Sequence, residues 1–420
     1  MWKPFTVLLA LSMLLATSVN STFALPDPTR RVNISSQWIH DYQEMRWLAA
    51  RRLGPDCPVS SIHNPFRPAL IKNWTAMVND ELGLFRFASD GCPSYRSDKF
   101  KIKPVAAQQW WDKQQKMDQG KDNRKCDPLV PQAPRFVSYI CCDDDQGPGL
   151  PPIDQFRGIN VIILSFMEIN GPGGKLADFY KASYQQRHDW IKSLHDKNIS
   201  VLLSTFGGDP SQQAITMKFD PVALGRLHGE IVRDSGFDGL DNDLEDFQAS
   251  MVQNHDVAEW IVQYTRAVRS QIPQGKYALS TAPIAPWFTT NEQRYCSGLF
   301  RQVAKEVGDD YDWYNLQFYN QGEGIYTDCN SILFKSNLQN FDGSSVFEIH
   351  NNTGIPLDKL VIGKPASQED ADSGYISPSL LSQCIRQAHQ KGWNAGVMSW
   401  EWPNANSRWF QQVRGQTFPL

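Results

Sequence analysis

From Arg135 onwards, short apolar runs alternate with amphipathic stretches, and this alternation predicts repeated strand and helix units. The predicted strands run from Arg135 to Ile140, Asn160 to Phe166, Ser200 to Thr205, Gly239 to Glu245, Tyr277 to Ala282, Trp313 to Tyr319, Lys359 to Gly363 and Gly396 to Trp400. Apolar positions recur with helical period between them, as from Asp178 to Asp196, Pro221 to Asp234, Asp256 to Ile272 and Pro378 to Lys391. Eight strands with intervening helices predict an α/β fold, a closed (β/α)8 TIM barrel, whose functional side chains gather at the C-terminal strand ends. Glu245, Tyr319 and Trp400 close the predicted strands four, six and eight. An open doubly wound sheet is the alternative, but no G-x-G-x-x-G turn follows the first strand.

Ahead of the barrel the pattern changes. Trp38, Ile39, Tyr42, Met45 and Leu48 recur at helical spacing between a Ser35-Ser36 cap and a Gly54-Pro55 stop, which predicts an amphipathic helix from Ser36 to Leu53. From there to about Pro134, Pro, Gly and charged residues interrupt short apolar runs without a repeat. The Trp110-Trp111 pair and the cysteines would permit a carbohydrate-binding module, but the stretch reads as a decoration packed against the main domain. Met1 to Ala24 carries Lys3, an apolar run from Val7 to Ala16 and a small-x-small ending at Thr22-Phe23-Ala24, the pattern of a secretory signal peptide. That run is too short to span a bilayer. The expected organisation is a signal peptide at 1–24, an extension at 25–133 and a barrel at 134–420, in a secreted, extracellular monomer with no membrane partner.

An exported chain with eight cysteines is expected to hold disulfides. Cys57, Cys92 and Cys126 precede the barrel and Cys141, Cys142, Cys296, Cys329 and Cys384 lie in it, so the odd counts imply a bridge between regions or free thiols. Asn33, Asn73, Asn198 and Asn351 each begin a glycosylation sequon. A net charge of -4 argues against nucleic acid as a partner, which needs a basic surplus or stripe. The 14 tryptophans mostly serve the core, though some ring faces could stack on sugars. No G-x-S-x-G, H-E-x-x-H or Walker motif is present, and neither a cofactor nor a metal is called for.

The chemistry concentrates between Gly236 and Asp246, G-F-D-G-L-D-N-D-L-E-D. In an extended strand Asp241, Asp243 and Glu245 share one face, spaced roughly 7 Å per pair of residues. Three such carboxyls in a partly dry site cannot all ionise cheaply, so at least one should hold a proton at neutral pH, as a general acid must. A calcium loop is the competing explanation, but the central Gly and the downstream ligands of an EF-hand are missing.

Asp238, Gly239, Asp241, Asp243 and Glu245 match the D-G-x-D-x-D-x-E pattern of glycoside hydrolase family 18, and the chain from Arg135 to about Trp402 resembles its hevamine-like, class III chitinases. Leu203 to Gly208 resembles the S-x-G-G turn after strand three, with Thr205 in place of the usual Ser. Gln317-Phe318-Tyr319-Asn320 resembles the strand six motif, Lys364 to Ser367 with Gly374 to Pro378 the strand seven segment, and Gly396 to Trp400 strand eight. Two departures stand out. Asn242 replaces an apolar residue on the outward face, so it needs a hydrogen-bond partner or costs stability. Cys141-Cys142 and Asp143 to Asp145 replace the usual loop after strand one, which reads as a solvated or disulfide-tied loop rather than a metal site.

Carboxyls from one strand end approach a sugar from one side, whereas displacement needs an attacker opposite the leaving oxygen. The substrate must then supply it. The resemblance implies this: the 2-acetamido oxygen of N-acetylglucosamine attacks, and water opens the oxazolinium with retention. It further implies Glu245 as acid and base, Asp243 as orienter of the acetamido N–H, Asp241 sharing a proton with Asp243, and Tyr319 donating to the acetamido oxygen. Gln317, Trp400, Tyr139 and Phe166 would bind substrate, which is chitin or a chito-oligosaccharide. Glu168 is a rival carboxylate: facing Glu245 across the mouth, it would restore a two-carboxylate mechanism. The alternatives are an endo-β-N-acetylglucosaminidase acting on glycoproteins and an inactive chitin-binding lectin.

Overall fold

One sheet winds round until its first and last strands pair. The structure is a computed structural model and describes residues 95–119, 126–141, 149–250, 256–291, 295, 298–336 and 341–420. In chain order its main elements are α1 (Val105–Asp118), β1 (Arg135–Ile140), β2 (Val161–Glu168), α2 (Gly174–Lys181), α3 (Tyr184–His195), β3 (Ser200–Gly207) and α4 (Pro221–Ser235). They continue with β4 (Gly239–Leu244), α5 (Phe247–Ser250), α6 (Asp256–Arg269), β5 (Ala278–Thr281), α7 (Phe300–Val307), β6 (Trp313–Gln317), α8 (Cys329–Leu333) and α9 (Val346–Thr353). β7 (Leu360–Pro365), α10 (Pro378–His389), β8 (Gly396–Trp400) and α11 (Ser407–Arg414) complete them. β1 pairs in parallel with both β2 and β8, which closes an all-parallel (β/α)8 barrel as expected. A short antiparallel segment, Gly171–Pro172, folds back on the end of β2.

Local chemistry explains where elements stop. The single helix expected from Asp178 to Asp196 is two, because Ala182 is extended and Ser183 caps α3 in a reciprocal box with Gln186. β6 ends at Gln317, two residues short of the expectation, so Tyr319 lies just beyond the strand. Glu245 likewise lies one residue past β4.

The route into β4 is tightly set. Asp220 caps α4 through the amides of Val222 and Ala223, and Pro221 opens the helix. Gly236 ends it in the left-handed region at φ 84°. Asp238 is fully buried and accepts hydrogen bonds from Leu129 N (2.7 Å), Val201 N (2.6 Å) and the His195 ring (2.9 Å). It therefore ties the segment before β1, the start of β3 and the end of α3 to the foot of β4. A β-carbon on Gly239 would fall 2.2 Å from Ala278 O, so only glycine lets β4 and β5 close at this point.

The residues before the barrel pack against its outer helices. Ile102 bridges Phe219 in parallel, Lys99 pairs with Asp256 at 3.0 Å, and the Trp111 indole donates to Glu230 at 3.2 Å. The leader at 1–24, the helix from Ser36 to Leu53 and Asp143 to Asp145 lie outside the described residues. Cys329 and Cys384 form a disulfide joining α8 to α10, Cys141 is disulfide-bonded, and Cys126 is a free thiol. Asn242 does face the helices, where its amide neighbours the Tyr311 hydroxyl, yet neither polar atom makes a hydrogen bond of normal geometry. The cost thus falls on stability. Among the described residues no helix is long and apolar enough to cross a membrane.

Asp238→Ala should lower unfolding stability by about 2–5 kcal/mol, because it leaves the buried Val201 amide and the partly buried Leu129 amide without their acceptor. Urea denaturation measures this, and a loss under about 1 kcal/mol would contradict the tethering role.

Candidate active site

Inward-facing side chains of β4 build the site in layers. Asp241 lies deepest, Asp243 above it, and Glu245 at the C-terminal rim. Asp241 Oδ2 accepts from the Tyr139 hydroxyl at 2.6 Å and Ser204 Oγ at 2.8 Å. Its Oδ1 accepts from Ser280 Oγ at 2.6 Å and Asn315 Nδ2 at 3.1 Å. Four donors and no acceptor suit a carboxylate. Burial raises the Asp241 pKa while these four hydrogen bonds hold the rise in check.

Asp243 has no such cage. Burial, then the charges of Glu245 and Asp241, push its carboxyl well above the ordinary range. Asp243 and Glu245 are hydrogen-bonded to each other, in the sense that favours the proton on Asp243 and the charge on Glu245. Burial also raises Glu245, against hydrogen bonds from Gln317 and Asp243. The Gln317 amide holds both acids, with Nε2 at 3.1 Å from Asp243 Oδ1, 3.1 Å from Glu245 Oε1 and 2.7 Å from Ala282 O. The hydrogen bond expected between Asp241 and Asp243 thus runs from Asp243 to Glu245, because the oxygens of Asp241 are occupied by donors from other strands.

Tyr319 lies beside these groups. Burial, then Asp243, Glu245, Glu401 and Asp241, raise its hydroxyl well above the ordinary tyrosine range, which keeps it a neutral donor. Trp400 is half-buried, stacked on Phe166 (centroids 6.0 Å apart, planes at 22°) and tilted against Tyr139 at 5.7 Å. Tyr139 itself is buried beneath this pair with its hydroxyl on Asp241, so it supports the carboxylate rather than an open surface. After β3, a β-carbon on Gly208 would come within 3.0 Å of Glu245 Oε2, and one on Gly207 within 2.9 Å of the Phe166 ring. The two glycines make room for the acid and the aromatic.

Glu168 does not face Glu245. The register of β2 shifts between Leu164 and Met167, just ahead of it, so regular strand alternation does not fix where its carboxyl points. The Glu168 carboxyl meets Gln212 at 3.4 Å, and after burial the charge that raises it is Asp209. Thr205 also turns outward, to the Tyr264 hydroxyl, and Ser204 supplies the hydroxyl that reaches Asp241. Ser204, Ser280 and Asn315 went unnoticed in the sequence. Their signal is register: Ser204 and Ser280 are the strand partners of Asp241, and Asn315 precedes Gln317 by two on the same face.

None of the known protein-family models matches the chain. Individual proteins do. A chitinase of Enterococcus faecalis is 27% identical over 279 residues, covering 62% of this chain and 75% of its own. The class III chitinase of Arthroderma benhamiae is 24% identical and an acidic endochitinase of Arabidopsis thaliana 26%, each over 51% of this chain and 66% of the relative. A glycoside hydrolase family 18 chitinase from Pseudoalteromonas aurantia shares the fold with a TM-score of 0.55 at 23% identity, over 66% of this chain and 98% of that one. The chain resembles the hevamine-like chitinases of family 18.

In this family 18-like barrel, Glu245 has a raised folded-state pKa, so it favours folding fully below its unfolded value of about 4.3 and loses that contribution as pH rises through the folded value. Glu245→Gln cannot ionise. It should raise Tm at neutral pH, with the advantage shrinking towards zero near about pH 3–4. Thermal melts across that range check this, and an offset independent of pH would contradict it.

Proposed function

We propose that the protein is a secreted chitinase, a glycosidase that hydrolyses β-1,4 linkages between N-acetylglucosamine units by a retaining, substrate-assisted mechanism. The observation that carries this is the shared hydrogen bond of Asp243 and Glu245 beside a tyrosine hydroxyl, with the third carboxyl locked away beneath them. The two exchangeable carboxyls come from one strand end, so neither supplies an attacker from the opposite face of the sugar. The 2-acetamido group of the substrate fills that role.

Proton placement follows from the same geometry. Between Asp243 and Glu245 the proton favours Asp243, which donates it to the Glu245 carboxylate. An acetamido N–H arriving at Asp243 needs an acceptor, which Asp243 offers only as a carboxylate. Substrate therefore favours the arrangement with the proton on Glu245, beside the leaving oxygen. Glu245 gives it up as the acetamido oxygen closes on the anomeric carbon, Asp243 balances the positive charge of the oxazolinium, and Tyr319 donates to the reacting amide oxygen. Glu245 then takes a proton from the water that opens the ring. Trp400, backed by Phe166, supplies an apolar floor for the sugar, while Gln317 fixes the two acids and Tyr139 secures Asp241.

With chito-oligosaccharides as substrate and chromatography of the products, Glu245→Gln should lower kcat by about 10²–10⁴-fold while sugar binding persists. Undiminished turnover would overturn the assignment. Tyr319→Phe should lower kcat by about 10-fold or more with a smaller effect on KM, because its hydrogen bond strengthens as charge develops. Steady-state kinetics separate the two parameters, and a change in KM alone would make Tyr319 a binding group only.

A further inference from the structure

The helix that precedes the barrel borders an open pocket that the chemistry above does not use. About 390 Å³ in volume, it lies between α1, the end of β2 and α2, and its walls include Trp110, Glu168, Asn170, Gly171 and Tyr180. The two adjacent tryptophans of α1 divide their roles. Trp111 is buried and bonded to Glu230, whereas Trp110 is only partly buried and stands edge-on to Tyr180, with centroids 4.8 Å apart and planes at 81°. A β-carbon on Gly171 would already touch Trp110 Cγ at 3.5 Å, so the indole sits directly over the turn that follows Glu168.

Glu168 brings a half-buried carboxyl to this wall, and no ion pair engages it among the described residues. Burial and the charge of Asp209 both raise it, which favours a group that exchanges hydrogen bonds with hydroxyls over one that waits for a cation. An indole platform beside a carboxyl and an amide is the combination a pyranose ring requires, apolar on its C–H face and rich in hydroxyls at its edge. The cavity is also continuous in sequence with the mouth. Phe166, stacked on Trp400, and Glu168 lie on one strand end about 7 Å apart, within the reach of a few linked sugars.

We propose that this cavity is an accessory carbohydrate subsite that takes a remote N-acetylglucosamine unit of the chain being cleaved, with the ring against Trp110 and its hydroxyls on Glu168 and Asn170. The inference rests on the chitinase reading above and adds what the residues before the barrel do for it. They lengthen the binding surface, so the energy of a distant sugar supports cleavage of long chains over short ones.

The test compares kcat/KM for a chitin hexamer with that for a trimer in wild type, Trp110→Ala and Glu168→Gln. The hexamer-to-trimer ratio should fall about three- to tenfold in each variant. Using a ratio separates loss of the subsite from loss of folded enzyme, and Glu168→Gln preserves side-chain volume should Trp110→Ala fold poorly. An unchanged ratio in both variants overturns the subsite while leaving the chitinase reading intact. A wild type that cleaves neither oligomer overturns the chitinase reading instead. Calorimetric titration of hexamer into wild type and Glu168→Gln then still judges the cavity, and equal affinities would reject it.

Discussion

A single buried carboxylate, Asp241, organises the mouth of this barrel. Its four hydrogen-bond donors come from four other strands: Tyr139 from β1, Ser204 from β3, Ser280 from β5 and Asn315 from β6. Closing the sheet and satisfying that charge are thus the same event, because none of the four reaches Asp241 unless the strands hold their register. A buried charge without partners is among the costliest features a fold can carry, whereas one with every acceptor position occupied fixes the groups around it. Asn315 is itself oriented by the Trp313 indole at 2.9 Å, so the cage extends into the core.

With Asp241 held as an anion, the two carboxyls above it lose their independence. Asp243 feels a fixed negative charge below and Glu245 beside it, and burial removes the water that would screen either. One proton between the pair relieves both. Gln317 permits no other relief, since its amide reaches both acids and is anchored by Ala282 O. The two carboxyls therefore titrate as a pair, and a ligand that accepts from or donates to one of them shifts the proton between them. This is where the fold and the proposed chemistry meet: the architecture that makes Asp241 tolerable makes the proton of Asp243 and Glu245 available.

How much of this was legible in the sequence depended on the range of the interactions involved. Strand order, barrel class and the inward face of Asp241, Asp243 and Glu245 follow from period and parity, which are local, and the structure agrees with them. The cage was not legible, because Ser204, Ser280 and Asn315 become neighbours of Asp241 only through strand register. Parity also misled where the backbone departs from regularity. Glu168, which follows a register shift in β2, meets Gln212 rather than Glu245. A break as small as Ala182 and Ser183 split a helix whose apolar period continues across it. The helix break is local, a capping box between Ser183 and Gln186, whereas the cage around Asp241 depends on residues distant in sequence.

The residues ahead of the barrel obey the same logic from the outside. Lys99, Ile102 and Trp111 engage Asp256, Phe219 and Glu230, positions distributed over α4, α6 and the approach to α4. Once those contacts are made, the orientation of α1 is fixed, and the residue next to Trp111 can only project towards the turn after β2. Trp110 thus acquires its position from the anchoring of its neighbour, much as Asp243 acquires its proton from the anchoring of Asp241. The surface built this way is shared: the residues ahead of the barrel contribute Trp110, and the end of β2 contributes Glu168.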